Sequence, residues 1–220
     1  MIVTIDGPAG AGKSSAARRL AARLGFRFLD TGAMYRAVTL AGKRRGVDWD
    51  QPAALAEIAA GLSLELSDQA VVMDGEDVTQ AIRTLEITSL TQHAADNDAV
   101  RRLLIDRQRA FAAGRDVVTE GRDQATVVFP NAECKIFLTA GEEERARRRF
   151  QDLQARGEEV DLAVVLQKQQ LRDRRDVERV FGGLAKVRDS IEVSTDGLTP
   201  EQVVDRLEAI VRDIQQGARN

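Results

Sequence analysis

The 220-residue chain can bury one large α/β core with excursions, and its 43% hydrophobic and 30% charged residues exclude a disordered chain. The single Cys134 excludes an internal disulfide and the single His93 excludes a His-rich metal cluster; a formal net charge of −3 argues against a general nucleic-acid binder. No apolar run approaches the length of a membrane span and no basic leader with a cleavage site precedes the first strand, so a cytoplasmic protein with no membrane partner is expected.

In chain order, the apolar run Ile2-Val3-Thr4-Ile5 predicts a buried strand. Gly7-Pro8-Ala9-Gly10-Ala11-Gly12-Lys13-Ser14 follows, and the amphipathic segment Ser15–Leu24, closed by Gly25, predicts a helix. Strand, glycine-rich turn and helix in this order form a phosphate loop. The glycines let backbone N–H groups converge on phosphate at a helix N-terminus, Lys13 adds a charge on the β- and γ-phosphates, and the Ser14 hydroxyl faces Mg²⁺. Phe26–Leu29 predicts a second strand, Asp30-Thr31-Gly32 its exit turn and cap, and Ala33–Arg45 a helix ending at Gly46. Such an opening predicts a parallel sheet covered on both faces, with ligands beyond the carboxyl ends of its strands.

Pro52–Gly61 predicts a short helix. Leu62–Leu66, Ala70–Met73 and Glu76–Val78, with Asp74-Gly75 as a two-residue hairpin turn, predict a small antiparallel sheet inserted into the main one. Helices are expected over Leu85–Ala95 and Ala99–Ala113. A buried strand at Val117–Thr119 follows, with Glu120-Gly121-Arg122-Asp123 at its carboxyl end, then another at Lys135–Leu138. Two charged helices, Glu142 to about Arg156 and Leu162–Asp176, form a hairpin able to close over a site. Ile191–Ser194 and Pro200–Gln215 complete the chain as strand and helix.

Only five of the 32 basic residues are lysines, and Arg145, Arg147, Arg148, Arg149, Arg156, Arg172, Arg174, Arg175 and Arg179 crowd one third of the chain. Both a solvated face of Glu–Arg pairs and an array for a polyanion fit this pattern. Without an Asn-Lys-x-Asp guanine reader or the length of a motor ATPase, phosphoryl transfer to a small acceptor suits the set best.

Ile5–Ser15, Leu29–Arg36, Ile82-Arg83-Thr84, Gly121-Arg122-Asp123 with Thr126–Pro130, and Arg172–Asp176 with Arg179 together resemble the bacterial cytidylate (CMP/dCMP) kinases over nearly the whole chain. The resemblance implies an α/β fold with a P-loop parallel sheet flanked by helices, an inserted NMP-binding subdomain and a short helical lid. It places a core at about 1–35, 98–145 and 187–220, the insert at about 36–97 and the lid at about 146–186. It implies ATP with Mg²⁺ and CMP or dCMP as partners; a monomer that binds no nucleic acid is expected. ATP would lie on Gly7, Pro8, Ala9, Gly10, Ala11, Gly12, Lys13, Ser14 and Ser15. Arg36, Arg122 and Arg179 would grip the CMP phosphate; Arg172 and Asp176 its sugar and neighbouring phosphate; Arg101 and Asp123 its base; Thr31, Tyr35 and Gln92 would also line the CMP site. Arg148 and Arg149 would approach the transferring phosphate alongside Lys13, Arg122 and Asp123 as catalytic groups.

The base assignment has independent chemical sense, since cytosine offers an amino donor to a carboxylate and acceptors to a guanidinium, and uracil reverses both. Beyond Ser14, Asp6, Glu120 and water are all open as magnesium ligands. Three positions depart from the family pattern: Gln92 where relatives carry Ser, Gln124-Ala125 for Ile-Gly or Met-Gly, and Gly182-Gly183-Leu184 for Ala-Pro-Leu. The last predicts a flexible turn, with looser lid closure or weaker substrate hold but no loss of chemistry. A phosphotransferase of the same fold acting on UMP, AMP or shikimate, a non-catalytic nucleotide sensor and an RNA-binding module are the alternatives.

Overall fold

A computed structural model describes residues 1–67, 70–155 and 157–217. Its chain forms two compact units, one of Met1–Arg27 with Arg115–Asn220 and one of Phe28–Gly114. The chain opens with β1 (Ile2–Asp6), α1 (Lys13–Leu24) and β2 (Arg27–Asp30). Gly25 ends α1 in the left-handed conformation, its N–H returned to the carbonyls of Ala21 and Ala22.

The second unit carries α2 (Thr31–Arg44), α3 (Pro52–Gly61), β3 (Leu64–Leu66), β4 (Val71–Met73), β5 (Glu76–Asp77), α4 (Leu85–Ala95) and α5 (Asp98–Ala112). The three strands form the antiparallel sheet β3-β4-β5. Asp74 (φ 50°) and Gly75 (φ 84°) both take left-handed backbone, as a two-residue hairpin of matching twist requires. A short 3₁₀ turn at Ala81–Arg83 precedes α4, whose Thr84 caps the Ile87 N–H. Asn97 caps α5 in the same way. His93 is a packing residue, its ring 5.2 Å from that of Trp49.

The first unit resumes with β6 (Val117–Gly121), β7 (Cys134–Thr139), α6 (Glu142–Gln154), α7 (Leu162–Glu178), β8 (Ile191–Ser194) and α8 (Pro200–Gly217). The main sheet has the order β2-β6-β1-β7-β8, and β1 runs parallel to β6 and β7. β1, buried from Val3 to Asp6, opens as a continuous apolar run rather than an alternating one. Cys134 is buried in β7, and burial, with Glu133 nearby, pushes its thiol up to about 12. Between β6 and β7 the chain makes a single π-helical turn at Gln124–Val128, which the sequence pattern did not signal. No helix among the described residues is long and apolar enough to cross a membrane.

Candidate active site

The loop between β1 and α1 is shaped by close approach. A Cβ on Gly7 would fall 2.0 Å from the Leu138 carbonyl oxygen, so only glycine lets the chain leave β1 here. Gly12 enters α1 with φ 87°, and no side chain caps the helix. The first-turn N–H groups of α1 and its positive dipole end are therefore left to a ligand. Lys13, buried, donates from Nζ to the Pro8 carbonyl at 2.8 Å. Burial first, and then the charges of Arg122 and Arg172, lower its pKa from 10.5 to about 7, against the opposing pull of Glu120 and Asp6. A buried ammonium with two guanidinium neighbours is short of negative charge, and a polyphosphate supplies it.

Ser14 donates to the Glu120 carboxylate at 2.9 Å. The Asp6 carboxylate is committed elsewhere: its two oxygens accept from the backbone N–H of Gln124 at 2.9 Å and of Ala125 at 2.8 Å. Burial raises Asp6 to about 6 despite those two bonds, with Asp123 adding to the rise and Lys13 opposing it.

Asp176 on α7 gathers the arginines of the first unit. Arg122 Nε donates to one of its oxygens at 2.7 Å and Arg179 to the other at 3.1 Å. Burial alone would raise its pKa, but Arg122, Arg172 and Arg179 outweigh it and hold the carboxyl below its usual value. Arg172 keeps much of its surface in solvent, yet loss of hydration and the charges of Arg122 and Arg149 pull its pKa down. Arg149 has no hydrogen-bonded or ion-pair partner among the described residues. Asp123 is buried at the start of the π-turn.

Three placements differ from the sequence expectations. Arg148 donates to Glu144 at 3.0 Å and to the Thr195 hydroxyl and carbonyl, each at 2.9 Å, so in this conformation it braces α6 against the end of β8 and is not free for a transferring phosphate. Arg145 is no part of a solvated face. It is buried, donates to the Ala140 carbonyl at 3.0 Å and the Ala9 carbonyl at 2.9 Å, and pairs with Asp173 at 2.6 Å, tying the phosphate loop to both charged helices. Nothing in an Arg-rich helical pattern distinguishes the one arginine that turns inward. Nor do Gly182 and Gly183 make a loose turn: Gly182 has φ 72°, and a Cβ on Gly183 would lie 2.5 Å from the Arg179 carbonyl oxygen. The Leu184 N–H then closes on the Asp176 carbonyl at 2.7 Å, so these glycines fix Arg179 at the end of α7. Arg156 lies outside the described residues.

In the second unit Asp30 caps α2 by accepting from the Ala33 N–H at 2.9 Å. Arg36 reaches the same carboxylate at 3.4 Å and Arg83 reaches its other oxygen at 3.5 Å. Gly32 makes room for Arg36, since a Cβ there would stand 3.2 Å from the guanidinium. Arg83, which the family resemblance names only within a motif, thus joins Arg36 at one carboxylate. The Arg101 guanidinium lies 5.7 Å from the centre of the Tyr35 ring and donates to the Ala95 carbonyl at 3.1 Å. Thr31 is buried in the first turn of α2, and Gln92 is exposed on α4.

Fold and site together define a P-loop kinase: a parallel sheet whose first strand feeds an uncapped helix N-terminus, a buried lysine, and a hairpin of arginine-bearing helices. The gluconokinase of Sinorhizobium meliloti 1021 shares this fold, with a TM-score of 0.51 at 16% identity over 97% of this chain and 93% of that one. Residues 3–214 match the cytidylate kinase family, and the chain belongs to it. It is 48% identical to the cytidylate kinase of Rhodopirellula baltica, over 100% of this chain and 96% of that protein. It is 43% identical to the cytidylate kinase of Pseudomonas syringae pv. tomato, over 97% and 96% respectively.

Proposed function

We infer that this chain transfers the γ-phosphoryl group of ATP to CMP, and we propose that dCMP is accepted as well. The observation that carries this is the buried Lys13, its charge disfavoured by its surroundings and by Arg122 and Arg172 until a polyphosphate lies beside it. In phosphoryl transfer the reacting group carries charge on three oxygens and catalysis is mostly positioning and neutralisation. Gly7–Ser15 would hold the donor, with Lys13 on its β- and γ-phosphates. Arg149, without a hydrogen-bonded or ion-pair partner among the described residues, would answer the transferring charge from the lid; Arg148 acts as a brace.

On the acceptor side Arg122 and Arg179, oriented by Asp176, would hold the CMP phosphate, with Arg36 in the same role from the second unit. Arg172 would take the sugar and neighbouring phosphate. Asp123 and Arg101 would read the base, with Thr31, Tyr35 and Gln92 as further acceptor contacts. The residues present suit Mg²⁺. Ser14 and Glu120 offer hard oxygen donors, and among the described residues no group of three or more His, Cys, Asp or Glu could cage a metal without the nucleotide. Bound there with ATP, the ion would neutralise the phosphates and orient them.

Steady-state ADP production with CMP, dCMP, UMP and AMP at millimolar Mg·ATP tests the proposal. Turnover of CMP and dCMP well above UMP and AMP is expected; no ADP above background with CMP overturns it.

A further inference from the structure

Asp6 is a buried carboxylate that phosphoryl transfer does not call on, and its surroundings give it another task. It sits at the centre of the main sheet, paired in register with Gly121 of β6 and Phe137 of β7, and the next residue, Gly7, is locked against the Leu138 carbonyl. From there its two oxygens accept separately from two consecutive N–H groups, those of Gln124 and Ala125, at 2.9 and 2.8 Å. These are the opening residues of the π-turn. That turn is otherwise closed by the Asp123 carbonyl, which accepts from Val127 at 2.9 Å and from Val128 at 3.1 Å, and by the Gln124 carbonyl, which accepts from Phe129 at 2.7 Å. A π-turn is an intrinsically poor helix and persists where its surroundings hold it.

We propose that Asp6 is a positioning residue for acceptor-base discrimination: by clamping the first two N–H groups of the π-turn to the sheet, it fixes the direction in which Asp123 presents its carboxylate. The proposal rests on Asp123 reading the base. One peptide links Asp123 to the clamped Gln124 nitrogen, so any pivot of the turn passes directly to Asp123. A carboxylate is the one side chain that serves two donors this way from a strand end. The amide of Asn has one acceptor oxygen and an NH₂ group that would face the second N–H donor to donor, leaving a buried group unpaired. The thymine-like arrangement of uracil differs from cytosine only in donors and acceptors, so its rejection depends on a carboxylate held in place rather than one free to turn away.

The test compares Asp6→Asn and Asp123→Asn with the full-length wild type. The readout is the ratio of kcat/KM for CMP to that for UMP at one fixed Mg·ATP concentration, which cancels effects on the donor. Asp123→Asn is expected to collapse the ratio, and Asp6→Asn to lower it by about tenfold or more, the cost of one buried unpaired hydrogen-bonding group. Collapse in Asp123→Asn with an unchanged ratio in Asp6→Asn overturns the role of Asp6 alone. An unchanged ratio in Asp123→Asn overturns the base reading and the role of Asp6 with it. Should Asp6→Asn not fold, amide exchange in the wild type decides: protection of the Gln124 and Ala125 amides equal to that of β6 supports the clamp, and exchange at loop rates overturns it.

Discussion

The two units hold their charges differently. In the first, Lys13, Asp6, Arg145 and Asp176 are buried and each is bound to fixed partners at 2.6 to 3.1 Å. In the second, Arg36 and Arg83 rest on the one carboxylate of Asp30 at 3.4 and 3.5 Å, and Arg83 is 44% exposed. Buried groups in a low-dielectric setting resist rearrangement, because an unpaired polar atom there is costly; guanidinium groups held only in long, partly solvated contacts give little up when a better anion arrives. The first unit is thus prepared in advance, and the second keeps its cations parked against an internal anion. Variants in the first should cost chemistry or folding, and variants in the second should change acceptor affinity alone.

Lys13→Met breaks that contrast hardest. Activity should fall by about 10³-fold or more, as when a main charge stabiliser of the transition state is removed, while the protein without nucleotide melts no lower than the wild type. Lys13 titrates near 7 folded and 10.5 unfolded. Between these values the unfolded chain binds the proton that the folded chain has lost, so the contribution of Lys13 to stability rises with pH over that window, and below it the cost of burying the charge is complete. The melting difference between wild type and Lys13→Met should therefore shift in favour of the wild type from pH 7 to pH 9. ATP beside Nζ raises its pKa again, so binding at pH 8 should take up a proton, seen as a buffer-dependent heat in calorimetry and absent in the variant.

Asp176→Asn comes next. It strips one carboxylate from two guanidinium groups at once, and kcat/KM for CMP should drop about 10²-fold with KM for ATP nearly unchanged, the size expected when a buried charge-assisted pair loses a partner. Because the folded pKa of Asp176 lies below 3.8, its stabilising contribution is complete above that value and is lost as pH falls through the folded pKa. Acid unfolding of the variant should lack that component. Arg145→Ala, smaller in its effect on turnover, leaves Asp173 without its cation and should cost about 3 kcal/mol of stability, read as a lowered melting temperature, while Arg145→Met with Asp173→Leu should recover part of it.

Much of this was legible in the sequence because local rules agreed with the fold. Asp74-Gly75 demands its hairpin, Gly25 its helix end, and Gly7–Ser14 its loop whatever surrounds them. What escaped was set by tertiary contact. The π-turn at Gln124–Val128 is anchored from outside itself: Asp6, far away in sequence, accepts from its first two N–H groups, and Thr119 donates to the Gln124 side chain. Arg145 differs from Arg148 only by a rotation around α6 that charge patterning does not resolve, so neither the inward turn of the one nor the bracing by the other shows in the sequence. The pair Gly182-Gly183 looked like slack, but it is imposed by the Arg179 carbonyl lying where a side chain would begin.

The smallest effect separates the units most finely. Asp30→Asn keeps an oxygen for the Ala33 N–H, so the α2 cap survives, since Asn caps as well as Asp. It removes the charge on which Arg36 and Arg83 are parked and turns the oxygen facing Arg83 into an amide NH₂. If the carboxylate competes with the acceptor phosphate for those cations, the variant should bind CMP about two- to threefold more tightly, the scale of a half-exposed, long-range ion pair. The dissociation constant for ATP and the melting temperature should stay nearly fixed. Calorimetric titration of CMP into the two proteins measures this. Weaker CMP binding in Asp30→Asn would mean that the carboxylate orients the arginines instead of competing for them, and the second unit would then be as prepared as the first.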